Sequence, residues 1–351
     1  MSTSDFNIDS FLHDSPVDES TVFGSLDLDA EGTVSAAYLE PGYEGTIDPR
    51  IRQLSYSSLL TLHSCPRKFE LYRKRSTYRT EESTKSTVTF AYGHVVGEAI
   101  QLALEGRNES EIIWKMFLGW HTDLAHTDEK LNKSFYTAVI ALQRFMSLRE
   151  AGFLDEYELV HYNGKPACEL SFCITFPDGF RLRGFVDAVL RHKVTGQIIV
   201  LECKTTGAVT LNPESYKNSA QAIGYSVVLD VLFPDLSSYE VLYLIYQTKS
   251  LEFTPIPFSK SFLQRALWIK ELLLDIETIK LYEEAEVYPM RGESCFNYSR
   301  ACEYFNTCTL STSYLTKPCT EKEVDKTEYQ VDISLQDLLE SQMKKMEEEL
   351  S

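Results

Sequence analysis

Between Gly184 and Lys204 the chain sets two carboxylates and an ammonium in apolar surroundings. The first run is Gly184-Phe-Val-Asp187-Ala-Val-Leu190 and the second is Ile198-Ile-Val-Leu-Glu202-Cys-Lys204, with a turn at Thr195-Gly196 between them. Both runs are short, apolar and bounded by turn residues, so both read as buried strands. Side chains alternate along a strand, so Glu202 and Lys204, two residues apart, share a face. A hairpin brings Asp187 beside them. Buried charges are costly unless they pair or hold a metal. A salt bridge at a strand end accounts for most lone Glu-x-Lys pairs, and such pairs contribute little. Here a second carboxylate stands on the neighbouring strand. Carboxylates with an open position are the hard oxygen ligands that Mg²⁺ or Mn²⁺ prefers. A lysine next to them can orient or deprotonate a water. Together these groups suit hydrolysis of a phosphodiester.

Strands must hold this cluster in place, and the pattern supplies them. Residues 157–162, 168–176, 180–190 and 197–204 read as an antiparallel meander, with Pro177-Asp178-Gly179 as one turn. Glu169 begins its strand and can reach the cluster. A helix over about 213–232 carries Gln221 and Tyr225 one turn apart on one face. Strands at 239–247 and 251–258 follow, then a long amphipathic helix over about 259–286. Three helices precede the meander, over 87–104, 112–125 and 135–148, and their aromatic residues, Trp114, Trp120, Phe135 and Phe145 among them, form a helical core. His94 lies on the first, where a lone histidine is most often a satisfied core residue. The order predicts an α/β fold: a mixed sheet flanked by helices, with a helical insertion before it.

Ser55 suits an N-cap for a short helix with Leu59, Leu60 and Leu62. Arg67, Lys68, Arg73, Lys74 and Arg75 follow with Phe69 and Tyr72 interleaved, the densest basic patch in the chain. Such a patch either tracks a nucleic-acid backbone or forms the solvated face of a helix.

The net charge of −18 on 351 residues argues at first against a nucleic-acid partner, but the charge is uneven. Residues 1–50 hold eleven acids and one arginine, and residues 320–351 hold ten acids and four lysines. Without those two segments, the remaining 51–319 carries only −2. The first segment reads as a disordered acidic arm, and the last as an acidic amphipathic tail able to dock a protein partner. No stretch approaches the ~18 apolar residues of a membrane span, and the N-terminal Met-Ser-Thr-Ser-Asp-Phe has no signal-peptide character. These features predict an intracellular protein that does not enter a membrane and whose eight cysteines stay reduced.

His94, then Gly184-Phe-Val-Asp187, then Glu202-Cys-Lys204, then Gln221-Ala-Ile-Gly-Tyr225 stand in an order that resembles the PD-(D/E)xK nuclease superfamily. Within it they resemble the RecB-like branch of phage and CRISPR-associated exonucleases, over roughly residues 54–310. The resemblance implies a restriction-endonuclease-like fold over residues 51–319, divided into a helical part (about 87–150), a catalytic core (about 157–258) and a long helix with a cysteine segment (259–319). It implies that His94, Asp187, Glu202 and the backbone carbonyl of Cys203 bind Mg²⁺ or Mn²⁺. Lys204 would position the attacking water, and Gln221 and Tyr225 would hold the DNA strand or the lysine. Arg67, Lys68 and Arg73 are the candidate nucleic-acid contacts. The acid before Cys203 is glutamate where aspartate is more usual.

Many members of the branch also hold a [4Fe–4S] cluster, and the resemblance assigns Cys65, Cys295, Cys302 and Cys308 to it. Six residues separate Cys295 from Cys302, where two are commoner. Four thiolates also meet the tetrahedral preference of zinc. The function implied is a metal-dependent DNA exonuclease in recombination, replication or end processing, in a viral or phage setting among others. The alternatives are a non-catalytic DNA-end-binding scaffold of the same fold and a nuclease acting on RNA.

Overall fold

A computed structural model describes residues 47–76, 88–124, 132–234, 239–297, 300–317, 319 and 328–350. The chain runs β1 (Gln53–Leu54), α1 (Tyr56–Ser64), α2 (Pro66–Arg73), α3 (Val88–Leu104), α4 (Glu109–Leu124) and α5 (Phe135–Glu150). Strands β2 (Tyr157–Leu159), β3 (His161–Tyr162), β4 (Lys165–Pro166), β5 (Cys168–Thr175), β6 (Arg181–His192) and β7 (Ile198–Thr206) follow. Then come α6 (Ala220–Leu232), β8 (Tyr239–Gln247), β9 (Glu252–Lys260) and α7 (Phe262–Glu284). The chain closes with β10 (Phe296–Asn297), β11 (Arg300–Ala301), α8 (Thr312–Leu315), β12 (Val331–Ser334) and α9 (Leu335–Leu350).

The helices start where their caps dictate. The Ser55 hydroxyl accepts the N–H of Ser58 while the Ser58 hydroxyl accepts that of Ser55, a reciprocal cap that sets the start of α1. Cys65, in extended conformation, ends α1 and begins α2, where Pro66 stands at a position with no helical N–H to lose. Ser134 with Thr137 and Ser261 with Gln264 repeat the device at α5 and α7.

An eight-stranded sheet runs in the order β12-β5-β6-β7-β8-β9, with β1 and β2 both on β6. Strands β5, β6 and β7 form the expected antiparallel meander, and β8 lies parallel to β7 after the α6 crossover. This is the mixed α/β architecture that the element order predicts. Alternation divides β7: Ile199, Leu201 and Cys203 pack into the core made by α3, α4 and α5, beside Val95, Val96 and Phe145. Each fully buried aliphatic side chain there contributes roughly 1.5–3 kcal/mol. Glu202 and Lys204 consequently face α6 on the other side.

Residues from both predicted ends belong to the folded body. The predicted arm lies outside the described residues except for 47–50, which belong to the folded body. Ile47 and Ile51 are buried, Asp48 pairs with Arg50 at 2.6 Å, and Arg50 donates to the carbonyl of Lys74 at 2.7 Å. The predicted tail is amphipathic, but its apolar face has a partner within this chain. Val331 and Ile333 are buried as β12 pairs parallel with β5 from Val331↔Phe172 to Ser334↔Thr175. Helix α9 packs on α6, where the buried Asp230 carboxylate accepts from Gln342 at 2.7 Å and pairs with Arg265 at 2.8 Å and Lys345 at 3.4 Å. Among the described residues no helix is long and apolar enough to cross a membrane.

Candidate active site

The cluster sits where two strands part. Strand β6 pairs with β7 only from Ala188↔Leu201 to Arg191↔Ile198, while β1 pairs with its other end at Arg181 and Leu182. Between these ladders the 183–187 stretch pairs with neither β1 nor β7. Asp187 begins that gap, and its Oδ2 accepts the N–H of Cys203 at 3.0 Å, doing with a side chain what the ladder no longer does. Strand β7 continues on β8 alone, carrying Glu202 and Lys204 past the fork.

Lys204 Nζ lies 2.5 Å from Glu202 Oε1 and donates to Gln221 Oε1 at 3.2 Å, and Gln221 Nε2 donates to the Tyr225 hydroxyl at 2.5 Å. The spacing of Gln221 and Tyr225, one helical turn, thus aligns them toward the lysine. Glu202 is 1% exposed, and its Oε2 is buried without a hydrogen-bond donor. Burial and the neighbouring Glu202 charge push the Asp187 carboxyl well above its ordinary range. Burial likewise raises Glu202 against the pull of Lys204. Burial lowers the Lys204 ammonium, but Glu202 and Asp187 outweigh it and raise the group on balance, so the lysine stays protonated. Two hard carboxylates in dry surroundings, one with an orphan oxygen, fit a small divalent cation.

Two glycines in the motifs have steric causes. A Cβ at Gly184 would stand 2.6 Å from Phe172 Cζ, because the Phe172 ring lies across its strand partner. That ring packs edge-on against Tyr225, with centroids 6.3 Å apart. A Cβ at Gly224 would meet Trp268 Cζ2 at 2.6 Å, so glycine lets α6 and α7 approach.

The structure does not gather every predicted residue. His94 is exposed on α3; the adjacent Gly93 passes β7 closely, where a Cβ would be 3.3 Å from Thr205 Oγ1. Among the described residues no three His, Cys, Asp or Glu side chains converge as a metal-binding group. Glu169 accepts from Gln101 at 2.8 Å, and its charge adds to the raising of Asp187 by burial and Glu202. Cys302 and Cys308 pack with Leu71, Tyr304 and Leu315. Burial raises the thiols of both, with Cys65 near each and Cys295 near Cys308, so the four cysteines share one neighbourhood. The backbone N–H of Cys302 also donates to the carbonyl of Cys295 at 2.7 Å.

The basic patch is corrected most. Arg67 is buried, and its guanidinium is taken up by Glu70, Thr312 Oγ1 and the carbonyls of Leu310 and Cys308. It ties α2 to the cysteine segment and does not face a nucleic acid. Lys68 stands 3.7 Å from Glu303, and Lys74 pairs with Glu70 and Glu283. Arg73 donates to the carbonyl of Arg50 yet also lines a cleft of about 820 Å³ that opens onto Asp187, Gln221 and Tyr225. Burial above all, and then the charge of the neighbouring Arg183, pull Arg73 down to about 10. Tyr72, Phe90 and Phe185 line the same cleft and are exposed.

Sequence reasoning passed over Arg183 and Tyr243. Arg183 directly precedes Gly184 in the motif strand and was therefore open to view. Tyr243 is paired directly with Glu202 across the β7–β8 ladder, a register that only the fold supplies.

The chain matches the sequence profile of the PD-(D/E)XK nuclease superfamily over residues 53–309. It belongs to that superfamily. The matched region begins at β1 and ends just beyond Cys308, so it takes in the fork, all of the cleft lining except Tyr329, and all four cysteines. Members of the superfamily generally use Mg²⁺ or Mn²⁺, in keeping with the carboxylate pair. Among solved structures, the crystal structure of SSO0001 is similar at 13% identity over 62% of this chain and 86% of its own, with a TM-score of 0.21, too slight a likeness to argue from. No curated protein matches the chain.

Proposed function

We propose that this PD-(D/E)XK nuclease is an intracellular, divalent-metal-dependent DNA exonuclease of the RecB-like branch, acting in recombination, replication or end processing. The observation that carries the reading is the meeting of Asp187, Glu202 and Lys204 at the fork of β6 and β7, at the foot of a cleft lined by arginines and exposed aromatic rings. Asp187, Glu202 and the carbonyl of Cys203 would hold Mg²⁺ or Mn²⁺, which would supply a Lewis acid for charge on the phosphate, while His94, exposed on α3, is left out of the set. Lys204, kept protonated and steadied by Glu202 and Gln221, holds the attacking water and neutralises charge growing on the scissile phosphate. Tyr225 fixes the Gln221 amide. Arg73 and Arg183 receive the backbone phosphates.

We further read Cys65, Cys295, Cys302 and Cys308 as ligands of a [4Fe–4S] cluster, supported by their shared neighbourhood and soft donor set. Such a cluster would pin the start of the domain to its end. Iron and sulfide analysis of anaerobically purified protein and of Cys308→Ser tests this. Zinc in place of iron would overturn it.

The nuclease reading is tested by degradation of end-labelled linear and covalently closed DNA with Mg²⁺ or Mn²⁺, beside Lys204→Ala. Loss of linear DNA alone, slowed at least ~10²-fold in the variant as for removal of one charge-stabilising group, is expected. Cutting of closed circles would make it an endonuclease. No cleavage by metal-supplemented wild-type protein would sink the enzyme reading.

A further inference from the structure

The cleft above the fork has a wall that the superfamily match does not include. Tyr329 lies twenty residues beyond the matched region, yet it lines the cleft together with Arg183, Phe185 and Asp187. Two contacts orient it. The Arg181 guanidinium lies over its ring, 5.6 Å from the centroid, and Arg183 Nη1 donates to its hydroxyl at 3.4 Å. Arg181 and Arg183 are two apart on β6, so both stand on one face of the strand that also carries Asp187.

The segment bearing Tyr329 is firmly built in. Gln330 exchanges bonds with Ser171, its N–H donating to the hydroxyl at 3.0 Å and its side-chain oxygen accepting the Ser171 N–H at 3.1 Å. Strand β12 then pairs along β5, and α9 is held by the buried Asp230 with Gln342 and Lys345. An aromatic ring fixed by its backbone on one side and by two guanidiniums on the other keeps its orientation without further ordering. Its surroundings bring cations and rings together: Arg73, Arg183, Tyr72, Phe90 and Phe185 share the cleft, with Asp187, Glu271 and Asp275 also in its lining. A groove that combines positive charge with exposed rings suits a single strand of nucleic acid, whose phosphates meet the cations and whose unpaired bases stack on the rings. Inside a duplex both faces of every base are already covered by its neighbours, so only the end pairs offer a face to such a ring.

We infer that Tyr329 is a substrate-binding residue: the C-terminal segment completes the cleft with a stacking platform for an unpaired base a short distance from the scissile phosphate. Arg183, held by the Tyr329 hydroxyl, takes a phosphate of the same strand. This rests on the nuclease reading and adds to it the single-stranded substrate class and the residue that recognises it.

The test measures binding of labelled single-stranded and blunt duplex oligonucleotides by fluorescence anisotropy, using full-length protein with Ca²⁺ in place of the catalytic metal. Wild type, Tyr329→Ala and Tyr329→Phe are compared, with unfolding midpoints taken for all three. Tyr329→Ala is expected to weaken single-strand binding by about five- to a hundred-fold, the range for one base–aromatic stack, and to leave duplex binding within about two-fold. Tyr329→Phe keeps the ring, so it is expected to retain most of the affinity. Wild-type single-strand affinity in a normally folded Tyr329→Ala protein would overturn the inference while leaving the nuclease reading intact. Equal loss on single strand and duplex would overturn the stacking role, and equal weakening in Tyr329→Phe would assign the effect to the hydroxyl. If wild-type protein binds neither oligonucleotide and cleaves neither, the nuclease reading fails and the inference falls with it.

Discussion

Gly184→Ala tests how a backbone position controls the reactive lysine. The added methyl carbon would lie 2.6 Å from Phe172 Cζ and 2.8 Å from Cε1, closer than carbon atoms approach without something moving. The ring cannot swing freely, because Phe172 is 5% exposed and packs edge-on against Tyr225. Overpacking of this kind costs about 1–3 kcal/mol. For a domain of this size, each kcal/mol lowers Tm by roughly 2–4 °C. The displaced ring pushes Tyr225, whose hydroxyl orders Gln221, which in turn steadies Lys204. Cleavage should therefore fall in kcat more than in KM. Gly207→Ala, just past the end of β7, meets nothing closer than Thr248 Oγ1 at 3.9 Å and serves as the unstrained control. Thermal unfolding and single-turnover cleavage of Gly184→Ala, Phe172→Leu and the double variant form a cycle. Relief of the clash predicts a double variant more stable than the sum of the two single losses. Wild-type stability in Gly184→Ala, or strict additivity in the cycle, would refute the reasoning.

Three further outcomes are expected. Asp230→Ala leaves Arg265 and Lys345 buried without their carboxylate and should destabilise by about 3–5 kcal/mol, read as an earlier urea midpoint with faster proteolysis of α9; an unchanged midpoint would show that α9 is held by its apolar face alone. Arg67→Met should lower the unfolding midpoint and speed tryptic cleavage within 300–317, with nucleic-acid affinity of the folded protein unchanged; lost affinity at normal stability would return Arg67 to the nucleic-acid surface. The hydrogen bond to Asp275, 2.8 Å away, raises the His63 imidazole above 6.5 despite partial burial, which NMR titration of wild type and Asp275→Asn can check. Because that value is raised by folding, the stability it contributes is complete below pH 6.5 and is lost as pH climbs through the raised value. His63 is more than half exposed, so the change should be small and sensitive to salt.

Much of the fold was legible because it is local. Apolar runs of strand length, turn residues between them and hydroxyl caps at Ser55, Ser134 and Ser261 determine where elements begin, and alternation alone sets Glu202 and Lys204 on one face. Helical periodicity likewise aligns Gln221 with Tyr225. Pairings between distant segments were not legible. That Arg67 is spent on the carbonyls of Cys308 and Leu310 follows from a contact across some 240 residues, and sequence shows only a cation in a basic run. The apolar stripe of α9 was visible, but its partner, α6 of the same chain, depends on β12 finding β5. Composition and spacing thus determined which residues could do chemistry and on which elements they ride. Tertiary structure decided the rest, because the opening between β6 and β7, and the surfaces that meet there, exist only once strands far apart in sequence are laid side by side.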